Sequence, residues 1–254
     1  MTNKVCLVTG GAGFLGQKYC EFFLKKGFKV LCVDNSKFKI KKLNNTNSKN
    51  FRIYLCDITK ENSVKKLFKQ INKNFFVNVL INNAAIDAVP SPNKIKKKFP
   101  TISDWDKEIN VSLKGSYLMI KYFGEKMVKK KEGSIINIGS DLSIIAPNQN
   151  LYKSSYKNYI KPVTYSVVKH GMLGLTRYFA SLYAKDKVRV NMISPGPIKN
   201  KQSKKLLNEL KKVIPMERLS DPDEILDSIY FLSNQSSSYI TGQNIIIDGG
   251  RTII

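Results

Sequence analysis

The stretch that decides the fold is Lys4-Val-Cys-Leu-Val-Thr-Gly-Gly-Ala-Gly-Phe-Leu-Gly16. It joins a short apolar run to a glycine-rich turn, and an amphipathic run then continues to Lys26. A second apolar run, Lys29-Val-Leu-Cys-Val-Asp34, follows after Gly27. This order predicts a strand, a tight turn, a helix and a second strand, an arrangement in which glycines let the backbone of the turn approach a pyrophosphate.

Asp34 closes the second predicted strand, 18 residues after Gly16. Its carboxylate can accept hydrogen bonds from the hydroxyl groups of an adenosine ribose, whereas it would repel a 2′-phosphate at that position. The spacing therefore favours NAD over NADP as the cofactor. Lys37 keeps NADP as the less favoured alternative, because a nearby ammonium group offers a phosphate a counter-charge.

The remainder of the chain alternates apolar runs with amphipathic ones. Further strands are predicted at residues 51–56, 77–81, 134–139, 188–193 and 244–248. Helices are predicted at 61–73, at 105–130 with Ser103 or Asp104 as N-cap, at 164–185, and from near Pro222. Short apolar strands that alternate with helices are typical of a parallel sheet covered on both faces. We therefore predict an α/β fold, a single Rossmann domain over residues 1–254 with a doubly wound parallel sheet of about seven strands.

Two short stretches carry residues suited to proton transfer. Ser134-Ile-Ile-Asn-Ile-Gly-Ser140 predicts a buried strand that delivers a hydroxyl group at its end, and Tyr165-Ser-Val-Val-Lys169 begins 25 residues later. On a helix, Tyr165 and Lys169 share one face, with Cβ atoms about 5–6 Å apart. An ammonium group beside a phenol stabilises the phenolate, so the pKa of the phenol falls from about 10 toward neutral pH. Together with Ser140, this pair could exchange a proton with a substrate oxygen while another group moves a hydride.

The chain is strongly basic, with a formal net charge of +24 at pH 7. Only five of its 43 basic residues are Arg, and the Lys residues are scattered among many Asn and Ile. Recognition of phosphates and bases favours Arg, and the chain contains no nucleic-acid-binding motif. We interpret the charge as a compositional bias, with weak steering of an anionic substrate as the alternative, and expect no nucleic-acid partner.

Compartment and metal binding follow from what the sequence lacks. No apolar run reaches the ~20 residues that span a bilayer, and the N-terminus shows no signal-peptide pattern. We therefore expect a cytoplasmic protein without a membrane partner. Cys6, Cys20, Cys32 and Cys56 form no C-x-x-C pair, and His170 is the only histidine. We expect the cysteines to be small core residues, His170 to pack or face solvent, and no metal site.

In this order and spacing, the residues resemble the short-chain dehydrogenase/reductase family over essentially the whole chain. The matching motifs are Thr9–Gly16, Asp57, Asn82-Asn-Ala-Ala85, Asn110, Ser140, Tyr165-x-x-x-Lys169, Pro195-Gly196 and Asp248-Gly-Gly250. The resemblance implies that Tyr165 is the general acid/base and that Lys169 lowers its pKa and binds the nicotinamide ribose. It also implies that Ser140 orients the substrate oxygen and that Asn110 positions a water in the proton relay.

The same resemblance implies a set of cofactor contacts and an assembly. The backbone near Ile198 is expected at the nicotinamide carboxamide, and helix pairs are expected to assemble homodimers or homotetramers. The residues expected to contact the dinucleotide are Gly10, Gly13, Phe14, Leu15, Gly16, Asp34, Asp57, Ile58, Asn83, Ala84, Ala85, Tyr165, Lys169, Pro195, Gly196 and Ile198.

Three departures from the family pattern bear on function. The glycine spacing is that of the family's extended, sugar-nucleotide-modifying branch, with Phe14 where the compact branch usually has Gly. The downstream motifs nevertheless match the compact branch, and we expect no extra C-terminal substrate domain. Asn200 stands where the Pro-Gly motif often ends in Thr. The separation of Ser140 from Tyr165 exceeds the dozen or so residues that are typical of the family.

The additional segment between Ser140 and Tyr165, residues 141–163, points to a narrower resemblance. With Lys161-Pro-Val-Thr-Tyr165 and Ser237-Ser-Tyr-Ile-Thr-Gly-Gln-Asn244, it resembles a subgroup that includes flagellin modification protein A. Members of that subgroup are associated with bacterial nonulosonate or surface-glycan biosynthesis. The segment is expected to bring tyrosines and lysines to the pocket rim, namely Tyr152, Tyr156, Tyr159, Lys153, Lys157 and Lys161. Residues 198–216 are expected to form a substrate loop.

The sequence therefore predicts an NAD(H)-dependent oxidoreductase that interconverts a secondary alcohol and a ketone. The expected substrate is a polar or anionic sugar derivative of bacterial nonulosonate, flagellin or surface-glycan biosynthesis. A 3-oxoacyl thioester or a simple polyol is the alternative substrate. A dinucleotide-binding protein without chemistry, and a sugar-nucleotide epimerase or dehydratase, are the alternative functions.

Overall fold

Seven parallel strands form one sheet in the order β3-β2-β1-β4-β5-β6-β7. The computed structural model describes residues 4–41, 43, 48–86, 99–153 and 159–254. The chain builds one side of the sheet first, returns to the middle, and then builds the other side, so the predicted doubly wound Rossmann fold is confirmed. The strands are β1 (Val5–Thr9), β2 (Lys29–Asp34), β3 (Phe51–Leu55), β4 (Val79–Asn82), β5 (Gly133–Ile138), β6 (Val188–Pro195) and β7 (Asn244–Ile247).

Burial along the strands explains why they could be recognised as apolar runs. Every residue of β1 and β4 is buried, and so is every residue of β2 and β5 after the first. These strands lie inside the sheet and are covered on both faces, which favours continuous apolar sequence over alternation. The edge strands β3 and β7 are largely half-buried or exposed. β6 continues through Pro195, two residues beyond the predicted end at 193.

Helices cover both faces of the sheet. One buried cluster packs Val64, Leu118 and Phe179 against one face, and a second packs Phe23 and Ile229 against the other. The helices are α1 (Phe14–Lys25), α2 (Lys37–Lys41), α3 (Glu61–Asn72), α4 (Ile102–Ile109), α5 (Gly115–Met119), α6 (Glu125–Lys130), α7 (Gln149–Lys153), α8 (Val163–Tyr183), α9 (Lys204–Lys211) and α10 (Leu226–Ser233). Among the described residues, no helix combines the length and apolar character needed to cross a membrane.

The long helical stretch that contains α4 to α6 begins earlier than predicted. Its N-cap is Thr101, so the prediction of Ser103 or Asp104 was wrong. Thr101 has an extended backbone with ψ 157°, and its hydroxyl accepts a hydrogen bond from the Asp104 N–H at 3.1 Å. Ser103 and Asp104 therefore lie in the first turn, where a side chain can no longer act as the cap.

Two π-helical segments interrupt this stretch. The first spans Asn110–Lys114 and the second Ile120–Gly124, and α5 lies between them. In the first segment the Gly115 N–H donates to the carbonyl of Asn110, five residues earlier. Such bulges occur frequently at functional sites. Asn110, to which the family resemblance assigns a water in the proton relay, is thus the first residue of a local π-helical widening.

A buried polar chain ties α8 to the sheet. The Asn82 amide donates to the Asn137 carbonyl oxygen at 2.8 Å, and the Asn137 amide donates to the Thr176 hydroxyl at 2.9 Å. Asn137 and Thr176 are fully buried, and Asn82 is almost so. A buried polar group without a partner costs about 1–3 kcal/mol, so these bonds specify how α8 sits on β4 and β5. The beginning of α8 is thereby held above the carboxyl ends of the strands.

Candidate functional site

One cavity of about 980 Å³ lies above the carboxyl ends of the strands. Its position spans β1 and β4, where the strand order reverses, which is where ligands bind in open α/β sheets. Of the residues predicted for the site, Gly16 does not line the cavity. The others all do, namely Gly10, Gly13, Phe14, Leu15, Asp34, Asp57, Ile58, Asn83, Ala84, Ala85, Asn110, Ser140, Tyr165, Lys169, Pro195, Gly196 and Ile198.

The glycine-rich turn forms one wall of the cavity. Gly10 has a φ of +62°, which L side chains rarely adopt, and the Gly13 N–H donates to its carbonyl at 3.0 Å. A Cβ atom on Gly16 would lie 2.1 Å from the Gly10 carbonyl oxygen. Gly16 therefore allows the first turn of α1 to pack closely against the glycine-rich turn. Gly16 does not line the cavity itself.

The first turn of α1 is suited to hold a phosphate. Its N-cap, Gly13, offers no side-chain cap, and the first turn contains no acidic residue. The N–H groups of a first helical turn lack intrahelical partners and carry the positive end of the helix dipole. Because this helix end borders the cavity beside the glycine turn, the residues present fit the pyrophosphate of a dinucleotide.

Asp34 lies at the end of β2 and is 7% exposed. Its two carboxylate oxygens accept hydrogen bonds from the Ala12 N–H at 3.1 Å and the Ser36 N–H at 3.0 Å. A carboxylate has about four lone-pair sites, so acceptor capacity remains for the hydroxyl groups of a ribose. The two backbone bonds hold the carboxylate in place at the cavity wall.

Asp57 makes a local turn at the end of β3. One of its oxygens accepts from the Thr59 N–H at 3.0 Å and from the Thr59 hydroxyl at 2.7 Å. Burial alone would raise the pKa of Asp57, but these bonds and the nearby Lys60 more than offset it, so the pKa lies below its usual value. Asp57 therefore both shapes the turn before α3 and lines the cavity with its carboxylate.

Asn83 fastens β4 to the glycine turn. Its side-chain amide donates to the carbonyl oxygens of Thr9 at 3.0 Å and Gly10 at 3.2 Å. The Thr9 hydroxyl in turn accepts from the backbone N–H groups of Asn83 at 3.0 Å and Ala84 at 3.1 Å. These bonds bring the ends of β1 and β4 together and leave Ala84 and Ala85 along the cavity wall.

Ser140 follows β5 and is held by a chain of polar contacts. Its hydroxyl donates to Asp141 at 2.8 Å and accepts from the Leu142 N–H at 3.2 Å. Asp141 also forms an ion pair with Arg251, and both side chains are only 5% exposed. Arg251 follows the Asp248-Gly-Gly250 motif near the C-terminus. The C-terminal segment therefore helps to define where the Ser140 hydroxyl lies.

Tyr165 and Lys169 lie in the first two turns of α8. The Lys169 ammonium group is buried, donates to the Ile138 carbonyl oxygen at 3.0 Å, and lies 5.7 Å from the centre of the Tyr165 ring. Because Ile138 ends β5 two residues before Ser140, the contact brings the start of α8 to the end of that strand. The structure thus gathers Ser140, Tyr165, Lys169 and Asn110 around one cavity.

The end of β6 closes the opposite wall. The Gly196 N–H donates to the Ile247 carbonyl oxygen at 2.8 Å, and a Cβ on Gly196 would lie 2.7 Å from the Asp248 Cα. Pro195 is the last residue of β6, and Ile198 forms a short parallel bridge with Ser220. Residues 200–202 and two leucines of α9, Leu206 and Leu210, also border the cavity.

The additional segment contributes unequally to the cavity. Tyr152 and Lys161 line it, whereas Tyr159 is buried against Tyr152 with ring centres 5.7 Å apart, and Lys153 is exposed to solvent. Burial, together with the nearby Asp141 and in spite of Arg251, raises the pKa of Tyr152 to about 12, so its phenol remains protonated at neutral pH. The predictions for Tyr156 and Lys157 fall outside the described residues.

Sequence reasoning missed Arg251 and the role of Asp141. A usable signal was present, because Arg is rare in this Lys-rich chain and is the residue best suited to a buried ion pair. The partner of Arg251 could not be found in the same way, since Asp141 lies 110 residues earlier in the sequence.

His170 faces solvent, and all four cysteines are free and buried. Within the described part of the chain, no cluster of three or more His, Cys, Asp or Glu side chains is placed to hold a metal ion.

Residues 12–252 match the model of a protein family described as Enoyl-(Acyl carrier protein) reductase. Two curated relatives are each 30% identical to the chain and align with all of it. One is the NAD-dependent glycerol dehydrogenase of Listeria innocua, matched over 95% of its length. The other is the 3-oxoacyl-(acyl-carrier-protein) reductase FabG of Thermotoga maritima, matched over 99% of its length.

The chain belongs to the short-chain dehydrogenase/reductase family. A solved short chain dehydrogenase from Leptospira borgpetersenii, with bound NAD+, is 30% identical, covers 99% of this chain and 94% of its own, and superposes with a TM-score of 0.88. As a member of the short-chain dehydrogenase/reductase family, the protein is an oxidoreductase. The resemblance inferred from the motifs is therefore confirmed at the level of the family and fold.

Proposed function

We propose that the protein interconverts a secondary alcohol and a ketone with NAD(H), with Tyr165 as the residue that transfers the proton. The observation that carries this proposal is the position of Tyr165 and Lys169 beside Ser140, in the cavity that also contains the glycine turn and Asp34. The proposed substrate is a polar or anionic sugar derivative of bacterial nonulosonate, flagellin or surface-glycan biosynthesis.

Each polar residue has a role in the proposed reaction. When bound, the nicotinamide accepts or supplies the hydride at the reacting carbon. The Tyr165 hydroxyl donates a proton to the ketone oxygen in reduction, and the Tyr165 phenolate takes a proton from the alcohol in oxidation. The Ser140 hydroxyl holds the same oxygen, and Lys169 places positive charge beside the phenol. Asn110, at the π-helical widening, orients a water that replenishes the proton.

The proposed preference for NAD rests on Asp34. Asp34 is largely buried, and its carboxylate accepts hydrogen bonds from two backbone N–H groups. Asp34 also lines the cavity. A 2′-phosphate would bring a second negative charge to this position. The relatives support the same choice, since one is named as NAD-dependent and the related solved structure contains NAD+.

The proposed sugar substrate rests on the polar groups at the other end of the cavity. Lys161, Arg251, Tyr152, Asn200 and Gln202 all line it. These side chains offer hydrogen bonds to hydroxyl and carboxylate groups of a substrate. Residues 141–163 and 198–216 are thereby proposed as the segments that determine the substrate.

A 3-oxoacyl thioester or a simple polyol is the second candidate substrate. The observation that favours it is the pair of relatives, a 3-oxoacyl reductase and a glycerol dehydrogenase, which align over the whole chain. Leu206 and Leu210 on the cavity wall would suit an acyl chain. Activity on acetoacetyl-coenzyme A or glycerol, with none on sugars or sugar acids, would replace the sugar proposal.

The proposed chemistry is tested with Tyr165→Phe, which removes the hydroxyl and keeps the ring. The expected result is a loss of about 10²–10⁴-fold in turnover with unchanged binding of NAD. Substrates would be compared by the absorbance of NADH, and cofactors by the thermal shift with NAD and NADP. Tyr239→Phe is the matched control, because Tyr239 is fully exposed. Undiminished turnover in Tyr165→Phe would show that the proposed proton donor is wrong.

We also propose a homo-oligomer. Large apolar or aromatic side chains are exposed on two helices, with Tyr117 on α5 and Tyr178 and Leu182 on α8 at 43%, 65% and 49%. Exposed side chains of this kind that share a surface mark an interaction site. The mass in solution, measured by light scattering, should be a multiple of 28.8 kDa; a monomer at micromolar concentration would contradict the proposal.

A further inference from the structure

The turn that follows β7, residues 248–252, places Arg251 beside the cavity. The carboxylate of Asp248 accepts hydrogen bonds from the Gly250 N–H at 2.9 Å and from the Thr252 N–H at 2.7 Å. Gly250 has a φ of +89°, which L side chains rarely adopt. These features constrain the backbone on both sides of Arg251, which is 5% exposed and lines the cavity.

The same turn is attached to two segments that contribute to the cavity wall. The Met216 N–H, at the end of residues 198–216, donates to the Gly249 carbonyl at 3.1 Å. Gly196, after β6, packs so closely against the turn that a Cβ atom on it would lie 2.7 Å from the Asp248 Cα. The turn therefore has a fixed position relative to the end of β6 and to a segment that is proposed to determine the substrate.

Arg251 connects this turn to Ser140 through Asp141. Its guanidinium group forms the buried ion pair with one carboxylate oxygen of Asp141. The other carboxylate oxygen accepts hydrogen bonds from the Ser140 hydroxyl and from the Leu142 N–H, both at 2.8 Å. One carboxylate is therefore shared between the C-terminal turn and the residue proposed to hold the substrate oxygen.

The contact with Asp141 fixes the position of the Ser140 hydroxyl. A serine side chain has three staggered rotamers, and only a rotamer directed at the Asp141 oxygen makes this hydrogen bond. Without Arg251, the Asp141 carboxylate would be a buried charge that has lost its counter-ion, which is costly. The carboxylate would turn toward water or another donor, and Ser140 would lose the group that selects its rotamer.

We propose that Arg251 is a positioning residue for the proposed reaction and that it acts through Asp141 on the Ser140 hydroxyl. This inference rests on the proposed function, in which Ser140 holds the reacting oxygen. Arg251 needs no contact with the substrate or the cofactor for this role. A displacement of about 1 Å in a group that orients the reacting atoms costs on the order of 100-fold in rate, so the loss of Arg251 should affect kcat more than KM.

The first test is a double-mutant cycle between Arg251 and Ser140. Turnover is followed by the absorbance of NADH with 2-keto-D-gluconate, acetoacetyl-coenzyme A and glycerol, and the cycle uses the compound that the wild type converts fastest. Arg251→Leu should lower kcat by about 10–100-fold with a much smaller change in KM. In a protein that already carries Ser140→Ala, the same change should have no further effect on kcat. An equal loss in both backgrounds would overturn the inference, because a merely structural role does not depend on Ser140.

A matched control separates this role from the general loss of an ion pair. Arg218→Leu removes the same type of residue from a pair with Glu224, but Arg218 is exposed and does not line the cavity. This variant should keep the kcat of the wild type. A loss of kcat in Arg218→Leu as large as that in Arg251→Leu would overturn the inference.

A second variant covers the instability expected of Arg251→Leu. Asp141→Leu/Arg251→Leu removes both charges, so no uncompensated ion remains in the interior. Because Ser140 has lost its acceptor in this variant as well, its kcat should be as low as that of Ser140→Ala. Turnover at the wild-type rate would overturn the inference.

Crystal structures with bound NAD provide a readout that does not depend on turnover. In the wild type, Ser140 should occupy one rotamer, with its oxygen at the Asp141 carboxylate. In Arg251→Leu and in Asp141→Leu/Arg251→Leu, Ser140 should occupy another rotamer or several. The wild-type rotamer at full occupancy in these variants would overturn the inference, and the double variant decides alone if Arg251→Leu does not fold.

The two proposals fail separately. Undiminished turnover in Tyr165→Phe would remove the proposed proton donor, while the coupling between Arg251 and Ser140 could still be measured. If the wild type converts none of the three compounds, the proposed substrate classes are wrong, and the rotamer of Ser140 decides the inference. Conversely, an inactive Tyr165→Phe together with independent effects of Arg251 and Ser140 would overturn only the role of Arg251.

Discussion

The two ends of the cavity are built in different ways. The end that contains Gly10, Gly13 and Asp34 is made from residues close in sequence and is shaped by backbone contacts. The end that contains Ser140 and Tyr165 depends on side chains from distant segments, including an ion pair between residues 110 positions apart. The first arrangement is suited to a ligand shared by many proteins, whereas the second can change with the substrate.

The comparison also concerns charge. The glycine-turn end offers backbone N–H groups and a carboxylate that is itself held by two N–H groups. The Ser140 end contains buried ionic side chains, Lys161, Lys169, Asp141 and Arg251. Buried ionic groups contribute little net stability when paired, but they are costly to leave without a partner. The substrate end should therefore be the more sensitive of the two to the loss of a single side chain.

The largest effect on stability is expected from Arg251→Leu. This change leaves the Asp141 carboxylate buried without its cation and should lower the free energy of unfolding by about 3–5 kcal/mol. The measurement is urea denaturation at neutral pH. The double variant Asp141→Leu/Arg251→Leu should lose less than the single one, because no uncompensated charge remains. A double variant that is less stable than Arg251→Leu would show that the pair itself stabilises the fold.

A smaller effect is expected from Gly16→Ala at the other end. The added Cβ would lie 2.1 Å from the Gly10 carbonyl oxygen and 2.7 Å from the Gly11 Cα, both backbone atoms that cannot easily move. Overpacking of this kind costs about 1–3 kcal/mol, and the distorted turn should also weaken the thermal shift with NAD.

Gly174→Ala is the matched control for Gly16→Ala. Gly174 is an exposed residue in the middle of α8, and a Cβ there meets no atom within 4 Å. The change should raise the free energy of unfolding by about 0.5–1 kcal/mol, because Ala favours the helix over Gly. If both variants changed stability in the same direction, steric crowding of the turn would not be the cause.

The smallest effect is expected at an exposed ion pair of the same chemical type as Asp141–Arg251. Arg218 and Glu224 form two hydrogen bonds of 2.7 Å, yet their side chains are 43% and 40% exposed. The hydrogen bonds from Arg218, with a backbone bond from Asp221, lower the pKa of Glu224 to about 2. Solvent screens the pair, so Glu224→Gln should cost at most about 1 kcal/mol.

The pH dependence of this cost follows from the direction of the pKa shift. A carboxyl group whose pKa is lowered by folding stabilises the protein above the pKa of the unfolded state, about 4.3 for Glu, and this contribution is lost as the pH falls toward 2. The difference in melting temperature between wild type and Glu224→Gln should therefore be present at pH 6 and shrink between about pH 4 and pH 2. A difference that stays constant over this range would contradict the assignment to the ion pair.

Much of the fold could be predicted because buried parallel strands are continuous apolar runs. β2 has the predicted bounds, Lys29–Asp34, and the ends of the other strands lie within two residues of the predicted ones. The start of α4 was missed, since Thr101, Ser103 and Asp104 are all plausible caps and only the backbone conformation selects one. The two π-helical segments have no sequence signal of their own, because they depend on how the helix packs along its length.

The residues of the candidate site also fall into those that local sequence patterns predict and those that they do not. The turn at Gly10–Gly16 and the pair Tyr165–Lys169 are local patterns, and their spacing alone predicts which residues share a surface. Lys153 and Lys161 lie in the same segment and look equivalent in sequence, yet the first is exposed and the second is buried at the cavity. Nothing in the periodicity of that segment separates them.

The sequence by itself determined the α/β fold, the position of the glycine turn and the residues proposed for proton transfer. All of these depend on short-range spacing along strands and helices, which obeys fixed geometry. Only the tertiary structure decided that Arg251 pairs with Asp141, that Gly16 is a packing residue, and that Lys161 lies beside Tyr165. These contacts join separate segments or depend on burial, and burial is set by the packing of the whole chain.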